Sequence, residues 1–169
     1  MKRVFGCAFL FVLLVCTVPQ RGHAAGDVRE SVVKVYTVRV VQDYDEPWKS
    51  LYQESTQGSG FVIEGNRILT AAHVVADHVY IQVRKSGEAR RYPAGVKVAA
   101  HACDLALLEV EDESFFDDTR PLELGELADL GDEVTAYGFP CGGDKLCATR
   151  GVVSRVEHTH YVQGGSDLL

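Results

Sequence analysis

Residues 58–75 read GSGFVIEGNRILTAAHVV, and two short apolar segments in this run flank a glycine-asparagine pair. Glycine and asparagine favour tight turns, so the pattern predicts a strand, a turn at Gly65 and Asn66, and a second strand. Two alanines follow the second strand and allow close backbone packing directly before His73. We therefore expect an imidazole held at a strand end on a rigid scaffold, which is what a general base requires.

Asp104 is the second residue of interest, because it stands directly before the apolar run Leu105–Val110. A carboxylate at the mouth of a buried strand can accept a hydrogen bond from an imidazole N–H and stabilise the imidazolium ion. Taken alone, an aspartate in this position is more often a turn or cap residue, and a single histidine is more often a packed or surface side chain. The two residues together favour a catalytic pair, with His73 as general base and Asp104 as its orienting acid.

Short β-branched runs separated by turn residues recur along the chain, and no long stretch has helical periodicity. This pattern predicts an all-β sandwich or barrel. Residues 33–40 alternate between apolar and polar or aromatic side chains, which indicates a strand with one face on the core. Two polar segments, 42–58 and 111–121, are predicted to be loops, and the second separates two strand-rich blocks.

The composition is that of a globular chain, because 46% of the 169 residues are hydrophobic and 24% are charged. Such a chain is neither disordered nor fibrous. Its length suits one domain, or one and a fraction, and excludes a large multidomain enzyme. The formal net charge of -7 repels phosphate backbones, so nucleic acid is not expected as a partner.

The first 24 residues have the organisation of a secretory signal peptide. A basic start, Met1–Arg3, precedes an uncharged apolar run to Pro19, and small residues lead up to the expected cleavage site after Ala24. A membrane anchor is the alternative, but the apolar run falls short of the roughly 18 residues that a span requires and ends at Gln20. We therefore expect no stable membrane anchor, and export to the periplasm or the exterior after cleavage.

Removal of this segment leaves three of the five cysteines, Cys103, Cys141 and Cys147. In an oxidising compartment, Cys141 and Cys147 are close enough in sequence to close a small loop. Small buried thiols with no bond are an equally good interpretation, because a bridge depends on Cα distances that sequence spacing does not fix. Neither a CxxC pair nor a Cys/His zinc spacing occurs, so no metal site is predicted.

Five blocks of the sequence together resemble the Deg/HtrA family of trypsin-like serine proteases, and the plant-type Deg branch is the most similar. The blocks follow the order found in that family and cover most of the chain after the signal peptide. They are GSGF at 58–61, ILTAAHVV at 68–75, DLALL at 104–108, GDEV at 131–134 with GFP at 138–140, and GVVSR at 151–155.

The resemblance implies an all-β, trypsin-like double β-barrel with the active site between the barrels. Residues 25–116 would form a complete N-terminal barrel, and residues 117–169 the start of a truncated C-terminal barrel. The resemblance also implies His73 as general base and Asp104 as its orienting acid, unfolded or extended polypeptides as substrates, and assembly into a homotrimer. Hydrolysis of this kind needs no metal ion and no other cofactor.

The nucleophile loop is where the sequence departs from the family pattern. The family's serine lies in an Asn-Pro-Gly-Asn-Ser-Gly-Gly-Pro loop whose backbone N–H groups form the oxyanion hole, and no such loop occurs here. Ser166 has glycine neighbours, but its stretch matches one that precedes the nucleophile loop in the family. Ser59 and Ser154 match structural positions. We therefore expect a fragment of a serine endopeptidase that is inactive as it stands; the alternatives are a noncatalytic module that binds extended polypeptides and a non-functional fragment.

Overall fold

The computed structural model describes residues 28–42, 45–46, 48, 50–140, 143–157, 159–161 and 166–168. This part of the chain contains ten strands, one short helix, α1 (Ala72–Val75), and two 3-10 turns, Val28–Glu30 and Glu113–Phe116. The strands are β1 (Val32–Gln42), β2 (Ser50–Ile63), β3 (Arg67–Thr70), β4 (His78–Lys85), β5 (Tyr92–Ala100), β6 (Leu105–Val110), β7 (Glu133–Gly138), β8 (Cys147–Val152), β9 (Thr159–Tyr161) and β10 (Ser166–Leu168).

The predicted signal peptide, residues 1–24, lies outside the described residues. Among the residues that the structure does describe, no helix combines the length and the apolar character needed to cross a membrane.

Six strands close into a barrel in the order β1-β2-β3-β6-β5-β4, and each neighbouring pair is antiparallel. β2 and β3 form the hairpin expected from the sequence, and the chain turns through Gly65 and Asn66 at φ of 81° and 54°. Glycine and asparagine adopt this left-handed backbone at little cost, so these two residues specify the turn. The all-β class predicted from the sequence is confirmed.

The barrel interior is filled by alternate residues of its strands, as the period of two requires. Val33 and Val35 of β1 are fully buried there together with Ile68 of β3 and Leu108 of β6. The 3-10 turn after β6 adds Phe115, which has no exposed surface and packs edge to face on both Tyr92 and Phe116 with ring centroids 5.0 Å apart. The sequence adjacent to the barrel therefore contributes the most completely buried aromatic ring of its core.

Replacing Phe115 with alanine is expected to lower the free energy of unfolding by about 3–5 kcal/mol, because the cavity left behind cannot be filled by its neighbours. Chemical denaturation of the 169-residue chain measures this loss. Leu124→Ala serves as the control, since that side chain is 74% exposed and its removal should be nearly neutral. A loss below about 1 kcal/mol for Phe115→Ala would place Phe115 outside the cooperative core.

The chain after the barrel forms two small sheets. Residues 117–132 run mainly as turns and irregular chain, and β7 and β8 then pair antiparallel from Glu133 opposite Val152 to Gly138 opposite Cys147. β9 and β10 pair separately. β7 lies against β1 and β2, so this strand covers part of the outer face of the barrel.

Two expectations about local structure need correction. The segment 42–58 was expected to be a loop, but β2 begins at Ser50 and pairs with β1 along a long two-stranded ribbon. Its polar side chains belong to the solvent faces of that ribbon, where Arg39 and Glu54 form an ion pair. The alternation in β1 predicted one face on the core, yet Lys34 and Tyr36 on the other face are buried as well. Lys34 lies under the loop that follows β7, and the guanidinium groups of Arg84 and Arg91 lie over the Tyr36 ring.

Candidate active site

The topology of the barrel brings His73 and Asp104 to the same place. β3 ends at Thr70 and β6 begins at Leu105, and the two strands are antiparallel neighbours in which Thr70 lies opposite Ala106. The residue three positions after the end of β3 therefore meets the residue directly before β6 at one edge of the sheet. This is how side chains that are distant in sequence can share one site.

The two side chains are in direct contact. His73 Nδ1 lies 2.6 Å from Asp104 Oδ2, and the backbone N–H of His73 donates to Asp104 Oδ1 at 2.9 Å. Both carboxylate oxygens therefore hold the same residue, one through its ring and the other through its main chain. This two-point contact fixes the position of the imidazole as well as its orientation.

Asp104 is held in a constrained environment. Its side chain is only 6% exposed, and its backbone lies in the left-handed region at φ 52°. Aspartate tolerates this conformation better than most residues, since its short polar side chain can bond locally. The Asp104 carbonyl also accepts a hydrogen bond from the Ala72 N–H at 3.1 Å, so main-chain and side-chain contacts together tie this turn to α1.

His73 lies on α1, whose seat on the barrel depends on small residues. Ala72 is fully buried, and Gly58 of β2 faces Val74, the residue after His73. A Cβ at position 58 would stand 2.6 Å from Val74 Cγ1, a separation that only a shift of α1 or of the valine could relieve. Gly58 thus permits the close approach of β2 to the turn of helix that carries the imidazole.

This geometry suits proton transfer. With Nδ1 bonded to the carboxylate, Nε2 is the ring nitrogen available to accept a proton from a substrate or nucleophile. The His73 side chain is 29% exposed, so the ring can be reached from solvent, whereas the carboxylate behind it is shielded. A buried carboxylate stabilises the imidazolium that forms when the base is protonated.

The serines considered from the sequence have different surroundings. Ser59 Oγ accepts a hydrogen bond from the Phe139 N–H at 2.8 Å, and Thr70 Oγ1 donates to the Ser59 carbonyl at 2.9 Å. Ser59 therefore connects β2 with β3 and with the loop that follows β7. Ser154 is exposed. The side chain of Ser166 lies outside the described residues.

The cysteines give no bridge within the described residues. Cys103 and Cys147 are free and exposed, and Cys103 Sγ contacts the Ala100 carbonyl at 3.5 Å. Exposure of both thiols is contrary to the interpretation that they are small buried groups. Cys141 lies outside the described residues, and so does the pairing of Cys141 with Cys147 that the sequence left open.

The chain matches known proteins over most of its length. A family model described as Trypsin-like peptidase domain matches residues 58–167. Protease Do-like 4, mitochondrial, from Arabidopsis thaliana is 51% identical over 139 residues, which are 82% of this chain and 27% of that protein. Protease Do-like 2, chloroplastic, from the same plant is 44% identical over 153 residues, 90% of this chain and 25% of that protein. The chain spans about a quarter of the length of these curated relatives.

A solved structure agrees with these sequence matches. The crystal structure of the active form of the Rv3671c protease from M. tuberculosis matches with a TM-score of 0.62 and 28% identity, over 78% of this chain and 51% of that one. The trypsin-like architecture and the resemblance to the Deg/HtrA proteases expected from the sequence are both confirmed. The chain belongs to the trypsin-like peptidase family, in its Deg/HtrA branch.

Proposed function

We propose that the chain carries the general base and the orienting acid of a serine endopeptidase of Deg/HtrA type. The observation that carries this proposal is the two-point contact between His73 and Asp104, 2.6 Å from ring to carboxylate and 2.9 Å from main chain to carboxylate. His73 is the base and Asp104 fixes its tautomer with Nδ1 protonated. Membership in a family of proteases supports the same assignment.

The proposed reaction is acyl transfer. A serine Oγ attacks the scissile carbonyl carbon while its proton passes to His73 Nε2, and the imidazolium then gives that proton to the leaving amine. Water, deprotonated by the same nitrogen, hydrolyses the acyl ester and releases the serine. The serine and the oxyanion hole belong to a Gly-Asn-Ser-Gly-Gly loop that the 169 residues do not contain, so we propose that this chain is a fragment and is inactive by itself.

The proposed substrates are misfolded or extended polypeptides, and the proposed assembly is a homotrimer.

Residues 1–24 are proposed to direct the chain out of the cytosol before they are removed at Ala24. The names of two relatives, one mitochondrial and one chloroplastic, support a non-cytosolic compartment. N-terminal sequencing of the protein from its natural source tests the cleavage: a sequence that starts at Ala25 is expected, and one that starts at Met1 contradicts it.

The serine assignment is tested by reading the transcript past the codon for Leu169 and by labelling with a fluorophosphonate, which reacts with activated serines. We expect the frame to continue into a Gly-Asn-Ser-Gly-Gly segment and the extended protein to be labelled. We expect the 169-residue chain to remain unlabelled. Labelling of the 169-residue chain would contradict the proposal, because one of its own serines would then be the nucleophile.

The second candidate is a noncatalytic module that binds extended polypeptides by adding a strand. Every residue of β8 is exposed, and within the described part of the chain β8 pairs only with β7, so its backbone offers an edge to another strand. A stop codon directly after Leu169 would favour this module, or a non-functional fragment, over the endopeptidase. Binding of an unfolded peptide by the 169-residue chain distinguishes these two.

A further inference from the structure

Three polar residues form a row across three neighbouring strands of the barrel. Lys34 of β1 lies directly opposite Ser59 of β2 on one side and opposite Arg84 of β4 on the other. Side chains directly opposite one another in a sheet point to the same face. The row Arg84-Lys34-Ser59 therefore lies on one face of the barrel, and this face meets the loop that follows β7.

Lys34 is the centre of this row and is completely buried. Its Nζ donates to the Gly143 carbonyl at 2.9 Å and to Asp144 Oδ1 at 3.1 Å. The ammonium also stands 4.9 Å from the centroid of the Tyr36 ring and 5.9 Å from that of Phe139. Burying an ammonium group is costly unless it is bonded, so the contacts with Phe139, Gly143 and Asp144, all in the loop between β7 and β8, help Lys34 to stay buried.

The other two members of the row hold the same loop. Ser59 Oγ accepts from the Phe139 N–H at 2.8 Å, and Arg84 donates to the Asp144 carbonyl at 3.0 Å and to its Oδ1 at 3.3 Å. Gly138 lets the loop begin close to the barrel, since a Cβ there would stand 3.0 Å from Ser59 Oγ. Phe139 at the start of the loop, and Gly143 and Asp144 further along it, are thus bonded to one row of barrel residues.

We infer that Arg84, Lys34 and Ser59 form a positioning site that seats Phe139, Gly143 and Asp144 on the barrel. Ser59 is adjacent to Gly58, which packs against α1 beside His73, so the loop is fixed relative to the imidazole through two consecutive residues of β2. That the loop is held on the barrel does not depend on the proposed reaction. That this contact aligns the β7-β8 sheet with His73 for catalysis rests on the proposed function.

The charge of Asp144 gives the seat a pH dependence. The pKa of the Asp144 carboxyl lies below its ordinary value, first because Lys34 donates to it and second because the Arg84 guanidinium is near. Arg29, Tyr137 and Lys145 line the same cavity of about 390 Å³ beside Asp144. Because the folded-state pKa is lowered, the stabilisation is complete above the unfolded-state value and is lost as the pH falls through the folded-state pKa.

Hydrogen exchange of the Phe139 amide in the 169-residue chain tests the seat, since this N–H is the one that Ser59 holds. Lys34→Met and Asp144→Ala are each expected to lower its protection factor about three- to tenfold, and the double variant by less than the product of the two single effects, because both variants remove the Lys34–Asp144 bond. Asp144→Glu should protect the Phe139 amide better than Asp144→Ala does, because it keeps a carboxylate for Lys34 and Arg84. In the wild-type chain, protection should fall as the pH drops through the folded-state pKa of Asp144.

Glu54→Ala is the matched control, because it breaks the Arg39–Glu54 ion pair on the same two strands and leaves the seat intact. Protection of Phe139 should be unchanged in this variant. Asp144→Ala keeps the test decisive if Lys34→Met does not fold, since the Asp144 side chain is 79% exposed and its removal spares the barrel core. Unchanged Phe139 protection in Asp144→Ala, or additive losses in the double variant, would overturn the inference; neither result would touch the assignment of His73.

Discussion

Replacing His73 with alanine is expected to lower kcat by about 10⁶-fold in the proposed longer form that contains the serine loop. The serine hydroxyl is a weak nucleophile without a base, and His73 is the group whose ring is both accessible and tied to a buried carboxylate. Steady-state cleavage of an unfolded protein substrate measures the loss. KM should change little, because the imidazole acts on the reacting proton.

His101→Ala is the matched control for this variant. That histidine is exposed in the turn just before Asp104, so its removal should leave kcat within about twofold of the wild-type value. If His73→Ala retained a near-normal rate while the variant remained folded, the base would have to be another residue.

Replacing Asp104 with asparagine is expected to lower kcat at neutral pH by about 10⁴-fold with little change in the fold. The asparagine amide donates a hydrogen bond to Nδ1, and the ring must then place its proton on Nε2. In that tautomer, Nε2 cannot accept the serine proton. The same steady-state cleavage assay measures this loss.

Asp118→Asn serves as the control, since that side chain is 89% exposed and its Oδ2 lies 4.0 Å from Lys85 Nζ, away from His73. It should leave kcat unchanged. A small loss for Asp104→Asn, comparable with that of Asp118→Asn, would mean that the carboxylate does not set the tautomer of His73.

The position of the candidate site could be expected from the sequence. His73 follows one apolar strand and Asp104 precedes another, and β3 and β6 are neighbours whose adjacent ends meet. The residue types at Gly65 and Asn66 likewise specified the hairpin. What the sequence did not reveal is the second contact of Asp104, through Oδ1 to the His73 main chain, because it depends on a left-handed backbone at Asp104.

The covered face of β1 was missed for a different reason. Lys34 occupies a polar position in a regular alternation, and this pattern is typical of a strand face exposed to water. Its partners lie 109 and 110 residues away along the chain, in a loop whose docking is a tertiary event. A local sequence pattern cannot predict such a distant contact. The same limit applies to β2: its first half is polar, and it forms a strand because it pairs with β1.

The hydrogen bond between His73 and Asp104 is the direct test of the central claim, and it can be measured in the 169-residue chain itself. Proton NMR of a sample labelled with ¹⁵N-histidine should give a strongly low-field Nδ1–H resonance, assigned to His73 by its absence in His73→Ala and abolished by Asp104→Ala. That result is expected from the 2.6 Å contact. Absence of the resonance in the wild-type chain, or its persistence in Asp104→Ala, would show that the imidazole and the carboxylate are not partners.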